Sequence, residues 1–352
     1  MTNKISALAD LGWSTFFSSQ FDESDPDSLI PAKVMEVHRN GLRVMGAELD
    51  VVIPPFSRAT GDDADVATIG DWLLLDPQTQ VPRHLLDRRS LFKRRAAGTG
   101  RRLQLIAANV DTVFIVSSCN QDFSLPRLER YLVLASDAGV MPVVVLTKAD
   151  LVEEAETFAS QARKLQPGLL VETLNARDPD AVQCLEGWCT TGQTVALLGS
   201  SGVGKSTLVN TLTGARTIAT QGIREDDGKG RHTTTARALH RFPQGGWLLD
   251  TPGMRALQLT DAGAGLEDVF ADIRDIITQC RFSDCAHDTE PGCAIQAAIK
   301  EGSLAVDRFK RWRKLSAEEQ YNAESLAQRR ARDRAFGKLV KNAKLQKYGE
   351  DS

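Results

Sequence analysis

The sequence predicts a multidomain α/β protein with three parts: a small N-terminal β-barrel, a central sheet covered by helices, and a short C-terminal helical segment built around a metal site. Three observations predict it. Residues 31–95 hold several short strands bounded by Gly, Asn and Pro. Residues 103–270 alternate near-continuous apolar runs with helical patterns, as a parallel sheet buried on both faces requires. Three cysteines and a histidine fall within fourteen residues, 280–293.

The 352 residues leave room for two or three domains and a sizeable core. A net charge of −3 excludes a polycation, so any nucleic-acid contact must come from local basic patches. No apolar run approaches the roughly 18 residues of a membrane span. The start, MTNKISALADLGWSTFF, lacks the basic-then-apolar pattern of a signal peptide, so a cytoplasmic protein without membrane attachment is expected. Cys119, Cys184 and Cys189 are scattered, whereas Cys280, Cys285 and Cys293 cluster. In a reducing compartment such a cluster suggests metal before disulfide.

Residues 1–30 form a polar, acidic extension expected to dock by Trp13, Phe16 and Phe17. In 31–95, AKVMEVHRNGLRVMG places Asn40-Gly41 between two partly alternating runs, which predicts a hairpin. ELDVVIP and IGDWLLLD add strands, together suggesting a barrel of the OB-fold kind. RHLLDRRSLFKRRAAGTGRR follows. Its arginines and lysine, from Arg83 through Arg88, Arg89, Lys93, Arg94 and Arg95 to Arg101 and Arg102, make either a solvated linker or an RNA phosphate-binding surface, and the adjacent barrel favours the second. Residues 96–270 contain the strands DTVFIV, MPVVVLT, TVALLG and GGWLLD and the helices PRLERYLVLASDAG and STLVNTLTG. In 271–352, Ser316 three residues before Glu319 looks like a capping box. The basic tail QRRARDRAFGKLVKNAKLQKYG reads equally as a solvated helix face or an RNA contact.

GSSGVGKST, comprising Gly199, Ser200, Ser201, Gly202, Val203, Gly204, Lys205, Ser206 and Thr207, follows a strand and opens a helix. This is a phosphate loop in its proper context: backbone N–H groups wrap the anion, Lys205 meets the β- and γ-phosphates, and Ser206 offers a hydroxyl to Mg²⁺. TKAD ends another strand, where Asp150 suits the guanine edge and Lys148 can lie along the base face. A carboxylate at Asp150 accepts guanine's N1–H and 2-amino hydrogens, which adenine cannot supply. LLVETLNA leads to a second base loop at Asn175-Ala176. LLDTPGMR supplies a D-x-x-G with Asp250 and Gly253 at the γ-phosphate.

The order is guanine loop, second base loop, phosphate loop, switch I, switch II. It is a circular permutation of the Ras-like order, which still brings these loops to one sheet edge. Switch I falls in QGIREDDGKGRHTTTARAL, where one of Thr233, Thr234 and Thr235 can meet Mg²⁺ and the γ-phosphate. Met254 follows Gly253 where Ras-like proteins carry a water-orienting glutamine, and a thioether cannot do that work. His232, beside the switch I threonines, is therefore the expected catalytic residue. The C-x4-C-x-H-x5-C cluster of Cys280, Cys285, His287 and Cys293 closes a tetrahedral structural zinc site with no position left for water.

The permuted series TKAD, GSSGVGKST, GKGRHTTT and DTPGMR, followed by C-x4-C-x-H-x5-C, resembles the bacterial ribosome small-subunit-dependent GTPases, the RsgA family. The resemblance covers nearly the whole chain, and by position it assigns Thr147, Lys148 and Asp150 to guanine and Thr234 to the switch I contact. It implies an OB-fold, a circularly permuted GTPase domain and a C-terminal zinc domain. It further implies a GTPase acting late in small-subunit (30S) maturation, binding rRNA, cycling between GTP and GDP and stimulated by the subunit. A monomer is expected, with one structural Zn²⁺ and with Mg²⁺ accompanying GTP. The second base loop reads Asn175-Ala176 where the family usually has Ser-Ala, and the extension LADLGWSTFF resembles a subset of members. Two other readings remain at this stage: a P-loop kinase for a small metabolite, against which TKAD and DTPG argue, and an RNA-binding protein with a vestigial nucleotide site, against which Lys205, Ser206 and Asp250 argue.

Overall fold

Strands that are apolar on both faces need cover on both faces, and the central sheet has it. A computed structural model describes residues 2–20, 29–58, 63–95, 103–214, 237–250 and 262–323. β1 (Ile30–His38), β2 (Gly41–Met45), β3 (Asp50–Ile53), β4 (Trp72–Leu75) and β5 (Pro82–Leu85) make the N-terminal antiparallel unit in the order β3-β2-β1-β4-β5. β6 (Leu91–Arg95) and β7 (Leu103–Ala108) form a separate hairpin. The central strands are β8 (Thr112–Ser118), β9 (Met141–Thr147), β10 (Leu170–Thr173), β11 (Thr194–Leu198), β12 (Arg237–Arg241) and β13 (Trp247–Asp250), in the order β10-β9-β8-β11-β13-β12.

Alternation along β8 shows the two covered faces. Val113 and Ile115 join the core that takes in Leu128, Leu132 and Ala159. These last belong to α3 (Leu125–Asp137) and α4 (Ala155–Arg163). Phe114 and Val116 face the opposite core with Val182, Leu208 and Leu212, from α5 (Pro179–Val182) and α6 (Lys205–Thr213). The N-terminal unit has its own core around Val34, Val44, Leu73 and Leu75.

β8, β9, β10, β11 and β13 are parallel, as expected from their apolar runs. β12 departs from that expectation by pairing antiparallel with β13. Only residues 242–246 separate the two strands, and a parallel crossover needs a dozen or more residues. β12 also pairs antiparallel with β1, at Glu36↔Ala238 and Val37↔Arg237. The N-terminal unit and the central domain thereby share one continuous mixed sheet.

Two local expectations shift. The β1–β2 hairpin forms, but His38 pairs with Gly41, so the turn is Arg39-Asn40 and Gly41 opens β2. The glycine serves close packing there, because a Cβ would lie 3.0 Å from the Ile53 carbonyl oxygen of β3. At the C-terminal end, α7 (Gly263–Val269), α8 (Ala271–Ile277) and α9 (Ala294–Glu301) precede α10 (Val306–Ala323). Ser316 therefore lies inside α10 and caps nothing. Burial of Phe309 and Leu315 on one side of this helix carries it through the local stop-and-start signal.

The N-terminal extension contains α1 (Thr2–Asp10) and α2 (Thr15–Ser18). Phe17 is buried and Trp13 meets Trp72 edge-on at 4.7 Å, while Phe16 stays partly exposed. The segment is bolted to both halves of the shared sheet. The Trp247 indole N–H donates to Asp10 O at 2.8 Å, and the buried Lys33 ammonium donates to Leu11 O (2.8 Å) and Thr194 Oγ1 (3.0 Å). Burial lowers the Lys33 pKa to about 8, against the opposing pull of Asp111.

Candidate nucleotide and metal sites

Because β8, β9, β10 and β11 run parallel, the loops that follow β9, β10 and β11 emerge at one edge of the sheet. These are the loops expected from the sequence to meet guanine, a second edge of the base, and the phosphates. Ligand sites of open α/β sheets lie at this carboxyl edge.

The phosphate loop, Gly199 to Gly204, joins β11 to α6, and Lys205, Ser206 and Thr207 form the helix's first turn. Gly199 passes so close to β8 that a Cβ would sit 2.3 Å from Val116 O, at a φ of +151°. Val203 is buried, whereas Ser201 and Gly202 are exposed at the rim. Lys205 is largely buried, and its ammonium donates to Gly199 O at 2.8 Å and to Ser200 O. It thus sits folded over the loop whose ligand it would meet.

Thr147 ties two loops together. Its buried hydroxyl lies between Ser117 O (3.1 Å) and Val203 O (2.5 Å), so the last residue of β9 grips the phosphate loop. Lys148 then adopts a left-handed conformation, φ +59°, which turns the chain into a short 3₁₀ segment, Ala149–Leu151. That turn leaves Asp150 exposed at the sheet edge. In the second base loop, Asn175 Oδ1 accepts from Arg177 N at 3.0 Å and steadies its own turn. Ala176 is buried, and its carbonyl accepts from Thr211 Oγ1 of α6 at 2.7 Å. Thr211 was not legible as a site residue, and neither was Arg127 of α3, whose Nη1 donates to Ser200 Oγ at 2.9 Å. Each is an ordinary helix residue by sequence pattern.

The backbone of Asp250 ends β13, opposite Ala238. His232, Thr234, Gly253 and Met254 lie outside the described residues.

The four expected metal ligands come together. The nearest ligand atoms of Cys280, Cys285, His287 and Cys293 all lie within 4.8 Å of one another. Cys280 Sγ and Cys293 Sγ lie 3.5 and 3.7 Å from His287 Nδ1. A tetrahedral ion with zinc-length bonds spaces sulfur and nitrogen by about 3.6 Å, so the donor set fits zinc. Local structure holds it. His287 is left-handed at φ +62°, its carbonyl accepts from Gln296 Nε2 at 2.6 Å, and its ring packs against Phe309 and Trp312. The Glu290 carboxylate accepts from its own backbone N–H and from those of Ala286, Asp288 and Thr289, which lowers its pKa.

One basic residue leaves the expected RNA surface. Arg88 lies largely buried, with both Asp71 carboxylate oxygens at 2.7 Å and the Ala64 and Val66 carbonyls at 2.5 and 2.9 Å. Its charge is neutralised inside the N-terminal unit. Arg101 and Arg102 lie outside the described residues. Lys93 and Arg94 stand on β6 of a regular hairpin rather than on a linker, and Arg94 Nε donates to Gln104 Oε1 at 2.8 Å.

Comparison with known proteins agrees with this geometry. Residues 85–260 match the family model described as RsgA GTPase. The chain is 52% identical over 327 residues to the small ribosomal subunit biogenesis GTPase RsgA of Mesorhizobium japonicum, covering 92% of each chain. It is 51% identical over 335 residues to RsgA 2 of Vibrio parahaemolyticus, covering 95% of this chain and 92% of that one. Among solved structures, YjeQ from Thermotoga maritima matches with a TM-score of 0.58 and 26% identity, over 81% of this chain and 96% of that one. YloQ, described as a circularly permuted GTPase, matches with the same TM-score of 0.58 at 23% identity, over 87% and 100%. With the phosphate loop following the guanine loop in the chain and relatives matched along almost all of its length, the protein belongs to the RsgA GTPase family and is a GTP hydrolase of the circularly permuted kind.

Proposed function

We propose that the protein is a GTP-driven factor in late maturation of the small ribosomal subunit, hydrolysing GTP to GDP and phosphate under stimulation by that subunit. The observation that carries this reading is the meeting of the TKAD and GSSGVGKST loops at one sheet edge, tied by Thr147 and Val203, in a chain whose relatives bear the name of small-subunit biogenesis GTPases.

In this reading Asp150 and Lys148 select guanine beside Asn175 and Ala176. Gly199 to Thr207 hold the phosphates, and Ser206 and Thr234 hold Mg²⁺, with Asp250 and Gly253 at the γ-phosphate. His232 orients the attacking water. One zinc on Cys280, Cys285, His287 and Cys293 makes the C-terminal segment rigid. The N-terminal strands, ordered β3-β2-β1-β4-β5, form an OB-fold barrel that binds rRNA together with the basic β6–β7 hairpin. The protein works as a monomer in the cytoplasm. Among the described residues no helix is long and apolar enough to cross a membrane.

The deciding experiment measures GTP hydrolysis with and without purified small subunits. A large rise in turnover with small subunits, absent with large subunits, is expected. Equal turnover in both cases overturns the ribosomal assignment.

A further inference from the structure

We propose that Arg127 is a positioning residue for GTP hydrolysis, acting through Ser200 on the first limb of the phosphate loop. The inference rests on reading Gly199 to Thr207 as that loop. Arg127 Nη1 donates to Ser200 Oγ at 2.9 Å, while the Ser200 carbonyl is held by Lys205. Ser200 is therefore gripped by two cations, Lys205 five residues further along the chain and Arg127 from the neighbouring helix α3. When the Lys205 ammonium turns to the β- and γ-phosphates it gives up part of its hold on the Gly199 and Ser200 carbonyls. The guanidinium of Arg127 is then the side-chain tether left on this limb, whose peptide planes aim the N–H groups at the anion.

Two further observations support a positioning role. Arg127 lies in the first turn of α3, after the N-cap Ser124, where the helix dipole disfavours a cation, and among the described residues no carboxylate pairs with it. Its backbone is also held firmly. Two and three residues on, Glu129 is clamped by Arg308 and Arg311, and Arg130 binds Glu318 through two bonds of 2.6 and 2.5 Å. α10 thus fixes α3 at the point from which Arg127 reaches the loop.

The test compares Arg127→Ala, Arg127→Lys, Ser200→Ala and the Arg127→Ala/Ser200→Ala double variant in the full chain with Mg²⁺ and small subunits. Each alanine variant should lose roughly 10-fold in kcat with KM changed less than about 2-fold, since the tether aims the loop rather than binding the nucleotide. The double variant should be no slower than either single one, because the two residues act as one unit. Arg127→Lys should recover part of the rate, because an ammonium still supplies one hydrogen bond to the hydroxyl. Wild-type kcat in Arg127→Ala, or single effects that multiply in the double variant, overturns the inference. Lys205→Ala serves as the separate control: if it still binds GTP tightly, the phosphate-loop reading itself fails.

Discussion

Arg308 of α10 donates to the fully buried Glu129 of α3 at 2.9 Å, joining the C-terminal helix to the nucleotide-binding domain. Arg311 reaches the other carboxylate oxygen at 2.6 Å. The Arg308 guanidinium also bonds the Leu165 and Val269 carbonyls and Asp272, and lies 4.5 Å over the Phe270 ring. Removing one partner of a buried pair strands the other charge. Glu129→Ala should cost about 3 kcal/mol, the low end of that class because Asp272 still pairs with Arg308. Urea denaturation measures it, and a loss below about 1 kcal/mol contradicts the clamp.

The base assignment has a direct test. Asp150 ends the β9 loop, exposed at the sheet edge where a purine would lie. Asp150→Asn should weaken GTP and gain xanthosine triphosphate, whose altered edge matches an amide. Competition binding reads the change, and an unaltered nucleotide preference removes Asp150 from the base site.

The metal prediction concerns content and folding together. The protein should carry about one tightly held zinc, contributing on the order of 10 kcal/mol to the folded C-terminal segment. Cys285→Ser should lose the ion and loosen the packing of His287 on Phe309 and Trp312. Full zinc by elemental analysis in that variant would show that Cys285 is not a ligand.

The catalytic prediction concerns a residue outside the described ones. His232→Ala should leave GTP affinity nearly intact and cut subunit-stimulated hydrolysis by roughly 10²-fold, the scale for loss of a positioned proton-handling group. Met254→Ala should slow turnover much less. Normal stimulated turnover in His232→Ala places the catalytic group elsewhere.

Lys33 gives a pH signature. Its folded pKa, about 8, lies below the ordinary lysine value of 10.5, so the unfolded chain holds the proton more tightly. Between pH 8 and 10.5 the unfolded state binds more protons, and stability rises with pH in that window. Below pH 8 the cost of burying the charge is present in full. Wild-type stability relative to Lys33→Met should therefore improve by an amount on the order of 3 kcal/mol from pH 8 to pH 10.5. Parallel pH profiles for the two proteins, followed by thermal unfolding, would falsify the buried-charge account.

The sequence by itself determined the parts that depend on neighbours along the chain. The glycines and lysine of GSSGVGKST follow a strand and open a helix, and the four candidate metal ligands lie within fourteen residues, so both groupings are written in spacing alone. The apolar runs of β8, β9 and β11 likewise announce a sheet covered on both faces. The permuted order of loops was legible because each loop carries its own short motif. Tertiary structure alone decided what joins those parts. β12 pairs with both β13 and β1 and so fuses the N-terminal unit to the central sheet, a choice no periodicity encodes. Residue type alone favours the surface for Arg88, Glu129 and Lys33, yet Arg88 is largely buried and Glu129 and Lys33 fully so, against partners 17, 179 and 161 residues away respectively. Burial of a charge is tolerated only when a distant partner arrives with hydrogen-bonding geometry, and that is a property of the folded chain rather than of any local window.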